Sequence, residues 1–400
     1  MNKYHVCLTD TDLYKLTMQM AICRLYPRAR ARYAFKNRDN REFPEGFDKR
    51  LIEIIDSFRD IRLTKDEKNF ILEKCYYLDP QYLDFLSGYQ YDPKEVFILQ
   101  EGPNLNVTVE GPWYKTVLWE VPLMATISEL YFEMTGTPIM DYEDREVLNM
   151  KKVKDLTEIR AYYSEFGTRR RYSFEVQSQV VMNLRGNIRS GSGFLLGTSN
   201  IHLAKLNELT PMGTVAHEWY QAHAAMFGYL RGNTEASEAW VRVYEGNLGI
   251  ALPDTFTTDI FYKYGFNTKY AKLFDGVRQD SGSPLEFIDK TITHYRKLRI
   301  QPRLKTCLFS DNLNSIAKIK EIKEYCWKGK EPEDRLMDRY GIGTWLSNDV
   351  GVKPLNIVIK LVGLDCGNGW VNTVKLSDSP TKHTGDSAEI DLCLRTLGIK

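Results

Sequence analysis

The sequence predicts an α/β protein, a parallel β/α array preceded by a smaller α+β region, and three observations predict it. From Val121 onward, short apolar runs alternate with helical patterns, as parallel strands joined by helices require. Before about residue 120 the texture differs: strand-like alternation at 31–36 precedes charged helical patterns at 47–60 and 65–76 and a hairpin pattern at 96–100 and 105–109. The chain has 400 residues, 43% hydrophobic and 12% aromatic, enough for a large core spread over roughly two to three domains. On this texture the divisions fall at 1–120, 121–345 and 346–400.

Charge and cysteine usage exclude several function classes. Lys and Arg number 54 against 53 acidic residues, so no net field recruits nucleic acid or an anionic membrane, and any anion site must be local. Seven scattered cysteines with no C-x-x-C pair argue against a zinc site or a disulfide framework and fit a reducing cytoplasm. Asp10 and Asp12 stand where a signal peptide needs its apolar core, and no run approaches the length of a membrane span.

Element by element, Thr9 to Lys15 read as a helix start, with Leu13, Leu16, Met20 and Ile22 on one face. Pro103 and Asn104 supply the turn of the first hairpin. The strands of the array fall at 193–196, 248–252, 272–277, 305–309 and, more weakly, 336–340. Ser283, Pro284 and Glu286 occupy the N-cap, N1 and N3 positions of a helix whose stripe is Leu285, Ile288, Ile292, Tyr295 and Leu298. Runs at 357–362 and 370–375 flank the turn-rich Cys366 to Gly369 and predict a closing hairpin.

The candidate chemistry gathers after the strands. Gly213-Thr214-Val215-Ala216-His217 is a small-residue turn that places His217 at a helix N-terminus, where free N–H groups and the dipole favour phosphate. A capping or packed histidine is the plainer reading of that residue alone. Polar loops follow the predicted strands: Gly197-Thr198-Ser199-Asn200, Pro253-Asp254-Thr255-Phe256, Arg278-Gln279-Asp280-Ser281-Gly282, Ser310-Asp311-Asn312 and Gly341-Ile342-Gly343-Thr344. Each alone reads as a β/α turn, but if the array closes as a barrel they share the face where active sites of such folds lie. Upstream, Glu165-Phe166-Gly167-Thr168-Arg169-Arg170-Arg171 offers guanidinium forks and a stacking ring, against the alternative of a solvated basic turn. His217 and His223 are six residues apart, not the four of a zinc-protease helix; Gly191, Gly193 and Gly197 miss the dinucleotide spacing, and Gly329-Lys330 lacks the Ser or Thr of a P-loop.

Taken together, Thr11-Asp12-Leu13-Tyr14-Lys15, Glu165 to Arg169, Gly197 to Asn200, Thr214 to His217, Asp254 to Phe256, Arg278 to Gly282 and Gly341 to Gly343 resemble, in order and over essentially the whole chain, the bacterial nicotinate phosphoribosyltransferases. The resemblance implies an irregular (β/α) barrel with an additional α+β domain built from the N-terminal region and the C-terminal strands, 346–400 returning to the N-terminal domain, and a homodimer with shared active sites. It implies nicotinate and phosphoribosyl pyrophosphate as substrates, Mg²⁺ as cofactor, and ATP as co-substrate phosphorylating His217.

By the same resemblance Asp280 orients His217, Asp254 helps hold the ribose or Mg²⁺, and Tyr14, Phe166 and Arg278 sandwich the pyridine ring. Arg169, Gly343 and Thr344 hold phosphates, Asp311 binds the ribose hydroxyls, and Ser199 stands where the related nicotinamide enzyme has an Asp that would repel a carboxylate. The segment from Lys375 to Asp386 has no assigned role. The rival readings are an enzyme taking nicotinamide or quinolinate and a non-catalytic nucleotide-binding barrel; the intact set of His217, Asp254, Arg278 and Asp280 argues against the second.

Overall fold

The computed structural model describes residues 3–189 and 194–399. The chain divides into two compact units, each assembled from separate stretches: 1–23, 30–213 and 342–360 in the first, 24–29, 214–341 and 361–400 in the second.

In the first unit, strands β1 (Arg30–Asn37), β2 (Val96–Glu101) and β3 (Asn104–Pro112) form an antiparallel ladder with β3 in the middle. The β3 sequence alternates as a half-buried strand must, with Leu105, Val107 and Val109 inside and Asn104 and Asn106 outside. Gly102, at φ 58°, makes the tight turn between β2 and β3. Two short strands, β4 (Tyr163–Glu165) and β5 (Leu195–Thr198), run parallel. The expected strand at 193–196 begins on Gly193, which lies outside the described residues. Among the helices, Lys65–Lys74 starts at a reciprocal capping box between Thr64 and Glu67, and Glu120–Thr135 is buried on every side through Phe132.

In the second unit, β6 (Ile250–Ala251), β7 (Gly276–Gln279), β8 (Thr306–Phe309) and β9 (Met337–Ile342) pair in parallel in chain order. Helices Thr268–Leu273, Pro284–Lys297 and Ile316–Trp327 alternate with them. The expected strand at 248–252 is cut to two residues because Leu248 is left-handed, at φ 55°, and Pro253 has no N–H for a ladder. The expected strand at 272–277 is corrected to Gly276–Gln279: the Asn267 side chain caps a helix that runs through Lys272 and Leu273. The Pro284 helix forms where expected, Ser283 Oγ accepting the Glu286 N–H at 3.3 Å. A last hairpin joins β10 (Ile357–Asp365), which begins in the first unit, to β11 (Trp370–Asn372). After it Val374 and Leu376 pack with Phe256, Ile260 and the closing helix Ser387–Leu397 through Cys393 and Leu397.

The chain is thus a mixed α/β protein with parallel strands and separate antiparallel strands. Among the described residues no strand pairing closes the parallel strands into a ring, and no helix is long and apolar enough to cross a membrane.

Candidate active site

The second unit holds a dense polar cluster around His217. His217 is the first residue of the helix His217–Phe227, as its turn predicts, and Ala216 at the N-cap leaves the first N–H groups without a side-chain cap. Its ring is gripped from both sides: Nε2 lies 3.0 Å from Asp280 Oδ2 and Nδ1 lies 3.0 Å from Thr255 Oγ1. An ionised carboxylate can only accept, so the proton sits on Nε2 and Nδ1 takes the Thr255 hydroxyl hydrogen. Burial, and then the Lys375 ammonium, push the His217 pKa down to about 4, which keeps the imidazole neutral near pH 7.

Asp280 is placed by the end of β7. Burial opposes its ionisation, yet the Arg278 guanidinium and the His217 hydrogen bond hold its pKa well below the ordinary carboxylate value. Arg278 donates from Nη2 to Asp280 Oδ1 at 2.9 Å, from Nη1 to Thr214 Oγ1 at 2.7 Å and from Nε to Ser310 Oγ at 2.9 Å, so the ends of β7 and β8 and the turn before His217 are tied by one side chain. The Ser310 hydroxyl stands 2.8 Å from the same Asp280 oxygen.

Asp254 follows β6 and is 1% exposed. Its Oδ2 accepts the Ser281 hydroxyl at 2.5 Å and lies 3.8 Å from Lys375 Nζ, while its Oδ1 is 3.8 Å from His217 Nε2 and has no hydrogen-bond partner among the described residues. Donor atoms of His217, Asp254 and Asp280 all lie within 4.8 Å of one another. The unmatched buried Asp254 oxygen together with Asp280 suits a hard, oxygen-seeking cation such as Mg²⁺.

The segment without an assigned role completes this cluster. Leu376 N–H and Ser377 N–H donate to the Thr255 carbonyl at 2.8 and 3.4 Å, and Asp378 N–H donates to Ser281 Oγ at 3.0 Å. The Asp378 carboxylate in turn accepts Thr258 N–H at 2.7 Å and the Thr258 hydroxyl at 2.5 Å. Asp311 does not join the group; it accepts Lys382 Nζ at 2.9 Å.

The first unit holds a second set. Lys15, fully buried, pairs with Glu120 at 2.5 Å, and Glu120 also takes Tyr14 OH at 3.3 Å and Arg169 Nη1 at 3.4 Å. Burial opposes the charge on Glu120, but Lys15 and then Arg169 bring its pKa down to about 2. Arg169 lies 5.8 Å from the Tyr14 ring centroid and 3.7 Å from Asp12, which accepts the Ser199 hydroxyl at 2.7 Å. Beneath them Arg171 makes a fully buried two-pronged pair with Asp10, at 2.7 and 2.9 Å. Phe166 is half-buried, and its N–H donates to the Ile342 carbonyl at 2.8 Å, just before Gly343 and Thr344. A Cβ on Gly167 would fall 1.5 Å from Ser347 Oγ, so only glycine fits there.

Sequence reasoning named the loops but not Thr255, Ser281 or Ser310 as partners of His217, Asp254 and Asp280, and it missed Glu120. The one local signal for Glu120 is a carboxylate opening a helix that carries no further charge until Glu129.

Residues 161–398 match the model of the nicotinate phosphoribosyltransferase family, and residues 9–128 match the model of that family's N-terminal domain. The chain belongs to the nicotinate phosphoribosyltransferase family. Family members similar to it include the nicotinate phosphoribosyltransferase of Desulforapulum autotrophicum, 47% identical with 98% of each chain covered, and that of Chromohalobacter salexigens, 46% identical over 98% of each. Among solved structures, the nicotinate phosphoribosyltransferase from Porphyromonas gingivalis superposes with a TM-score of 0.92 at 40% identity, covering 98% of this chain and 99% of that one. A putative nicotinate phosphoribosyltransferase from Saccharomyces cerevisiae gives 0.91 at 33% identity, with 98% of each chain covered.

Proposed function

We propose that this chain joins nicotinate to phosphoribosyl pyrophosphate, giving nicotinate mononucleotide and pyrophosphate for NAD salvage, and that ATP stimulates the reaction through transient phosphorylation of His217. Family membership supports the substrate pair. The observation that carries the ATP step is the neutral His217 ring, fixed at Nε2 by Asp280 and presenting the Nδ1 lone pair to a hydroxyl that can move aside. Attack by Nδ1 on the ATP γ-phosphorus forms the N–P bond as the bond to ADP breaks, and Asp280 balances the charge that appears on the ring.

Displacing pyrophosphate from the ribose C1 passes through a cationic centre, which asks for positioning and charge stabilisation more than for a strong base. Asp254 and Asp280 supply fixed negative charge, and they are the residues that would hold Mg²⁺. That ion would stabilise the pyrophosphate as it leaves. Arg278 is assigned to the pyridine ring together with Tyr14 and Phe166, Arg169 with Gly343 and Thr344 to phosphate, and Asp311 to the ribose hydroxyls. Ser199 is assigned to selection of the carboxylate over the amide.

Product formation with nicotinate, nicotinamide and quinolinate, each with and without ATP, tests the proposal. Nicotinate mononucleotide formation stimulated by ATP is expected; equal use of the amide or the diacid, or indifference to ATP, would overturn the corresponding part. A binding protein without turnover would form product from none of the three substrates.

A further inference from the structure

We propose that Cys7, Glu67 and His202, in the first unit, form a binding site for a divalent transition-metal ion of the zinc class. The Cys7 Sγ, one carboxylate oxygen of Glu67 and one ring nitrogen of His202 all lie within 4.8 Å of one another. Donors about 2.0 to 2.3 Å from a tetrahedral zinc are separated by roughly 3.3 to 3.8 Å, so closing on an ion asks for a contraction of about 1 Å. A thiolate, an imidazole and a carboxylate together select zinc, or cobalt in its place, over magnesium or calcium.

Two further observations bear on the ligands themselves. Glu67 is 2% exposed, yet every group bonded to it is neutral: Thr9 N–H at 3.4 Å, the Thr9 hydroxyl, and Thr64 N–H and hydroxyl at 2.8 Å each. Among the described residues no Lys or Arg pairs with it; burial opposes its charge, but hydrogen bonds from Cys7, Thr9 and Thr64 outweigh that burial and hold its pKa below the ordinary carboxylate value. His202 Nδ1 is buried with no hydrogen-bond partner.

The surroundings are braced for such a site. His202 N–H donates to the Thr9 carbonyl at 2.9 Å and Asp10 N–H to the Cys7 carbonyl at 3.2 Å, so the segment carrying Cys7 is tied to the residue carrying the imidazole. Glu67 would turn Oε1 from the Thr9 hydroxyl to the ion and keep Oε2 on the Thr64 cap, a supporting bond of the kind that orients metal ligands. Without metal, burial and the Glu67 carboxylate keep Cys7 a thiol; on binding, the S–H proton passes to solvent as the S–metal bond forms. A filled site would staple the N-terminal segment to the helices Lys65–Lys74 and Ile201–Asn207.

Cobalt titration of the chelator-treated protein tests this. One equivalent per chain should produce intense visible bands and a near-ultraviolet thiolate-to-cobalt band, and zinc should bleach both. Cys7→Ser should abolish the thiolate band, His202→Ala should weaken binding tenfold or more, and His217→Ala should leave the spectrum unchanged. In the unsubstituted protein zinc should also shield Cys7 from alkylation, read by peptide mass spectrometry; this keeps the test open if Cys7→Ser fails to fold. No thiolate band with the folded protein, a band surviving in Cys7→Ser, or a Cys7 alkylated equally with and without zinc would overturn the site and leave an ion-free hydrogen-bond cluster.

Discussion

Replacing Asp280 by Asn tests the assignment of the histidine proton. The amide matches the carboxylate in shape but offers one acceptor oxygen and one donor group. Its oxygen belongs toward Arg278 and Ser310, because an NH₂ turned to the guanidinium would leave Arg278, whose side chain is 13% exposed, facing another donor. The NH₂ then faces His217 Nε2, now 3.0 Å from a carboxylate oxygen. The ring must accept there, its proton moves to Nδ1, and the lone pair proposed to attack ATP disappears. A hydrogen bond to a charged group contributes about 1.5 to 3 kcal/mol, and about 1.36 kcal/mol is a factor of ten in rate, so phosphorylation should slow by roughly 10- to 160-fold. The assay is the rate of acid-labile label transfer from γ-labelled ATP, with ATP-independent nicotinate mononucleotide synthesis as the internal control. A folded Asp280→Asn enzyme that is labelled as fast as the parent refutes the reasoning.

Four further outcomes are expected. His217→Ala should fold, lose the label and the ATP stimulation, and keep slow ATP-independent transfer; in the parent, labelling should stay level from about pH 8 to about pH 5 and fall as acid protonates a ring whose pKa is lowered to about 4. Ser199→Asp should lower kcat/KM for nicotinate by about 1 to 3 kcal/mol, and because Ser199 Oγ is 2.7 Å from Asp12 it should also lower the melting temperature, a loss Ser199→Ala should not share in full. If the enzyme is a dimer with shared sites, mixing and refolding Tyr14→Ala with His217→Ala chains should restore ATP-stimulated activity that neither has alone; heterodimers without ATP-stimulated activity exclude shared sites. Asp10→Ala strands the fully buried Arg171 guanidinium and should cost about 3 to 5 kcal/mol in urea unfolding, whereas a cost under about 1 kcal/mol would mean that water reaches the pair.

What was legible in the sequence was what is decided locally. Ser283, Pro284 and Glu286 mark a helix start by their own chemistry, and the helix begins at Pro284. The small-residue turn before His217 likewise placed that residue at or near a helix N-terminus, and it is the first helical residue. Residues 272–277 misled because a short apolar run suits a helix end and a strand equally, and the deciding cap, Asn267, lies outside the run. The partners in the site were hidden for a different reason. Lys15 meets Glu120, and Asp378 meets Thr258, across more than a hundred residues of chain, and no spacing rule reaches that far. Thr255, Ser281 and Ser310 were visible as turn residues, but the direction of each hydroxyl is set only when the strands before them lie side by side.

The tie between Leu376 to Asp378 and the loop carrying Asp254 and Thr255 bears on how the enzyme comes into being. These residues follow β6 to β9 in the chain and are therefore made after them. A growing chain can therefore display the whole His217 helix and the strands β6 to β9 while the loop that must brace the imidazole still has nothing to lean on. Chains stopped short of Leu376, or clipped between β11 and Asp378, should be silent and not half-active.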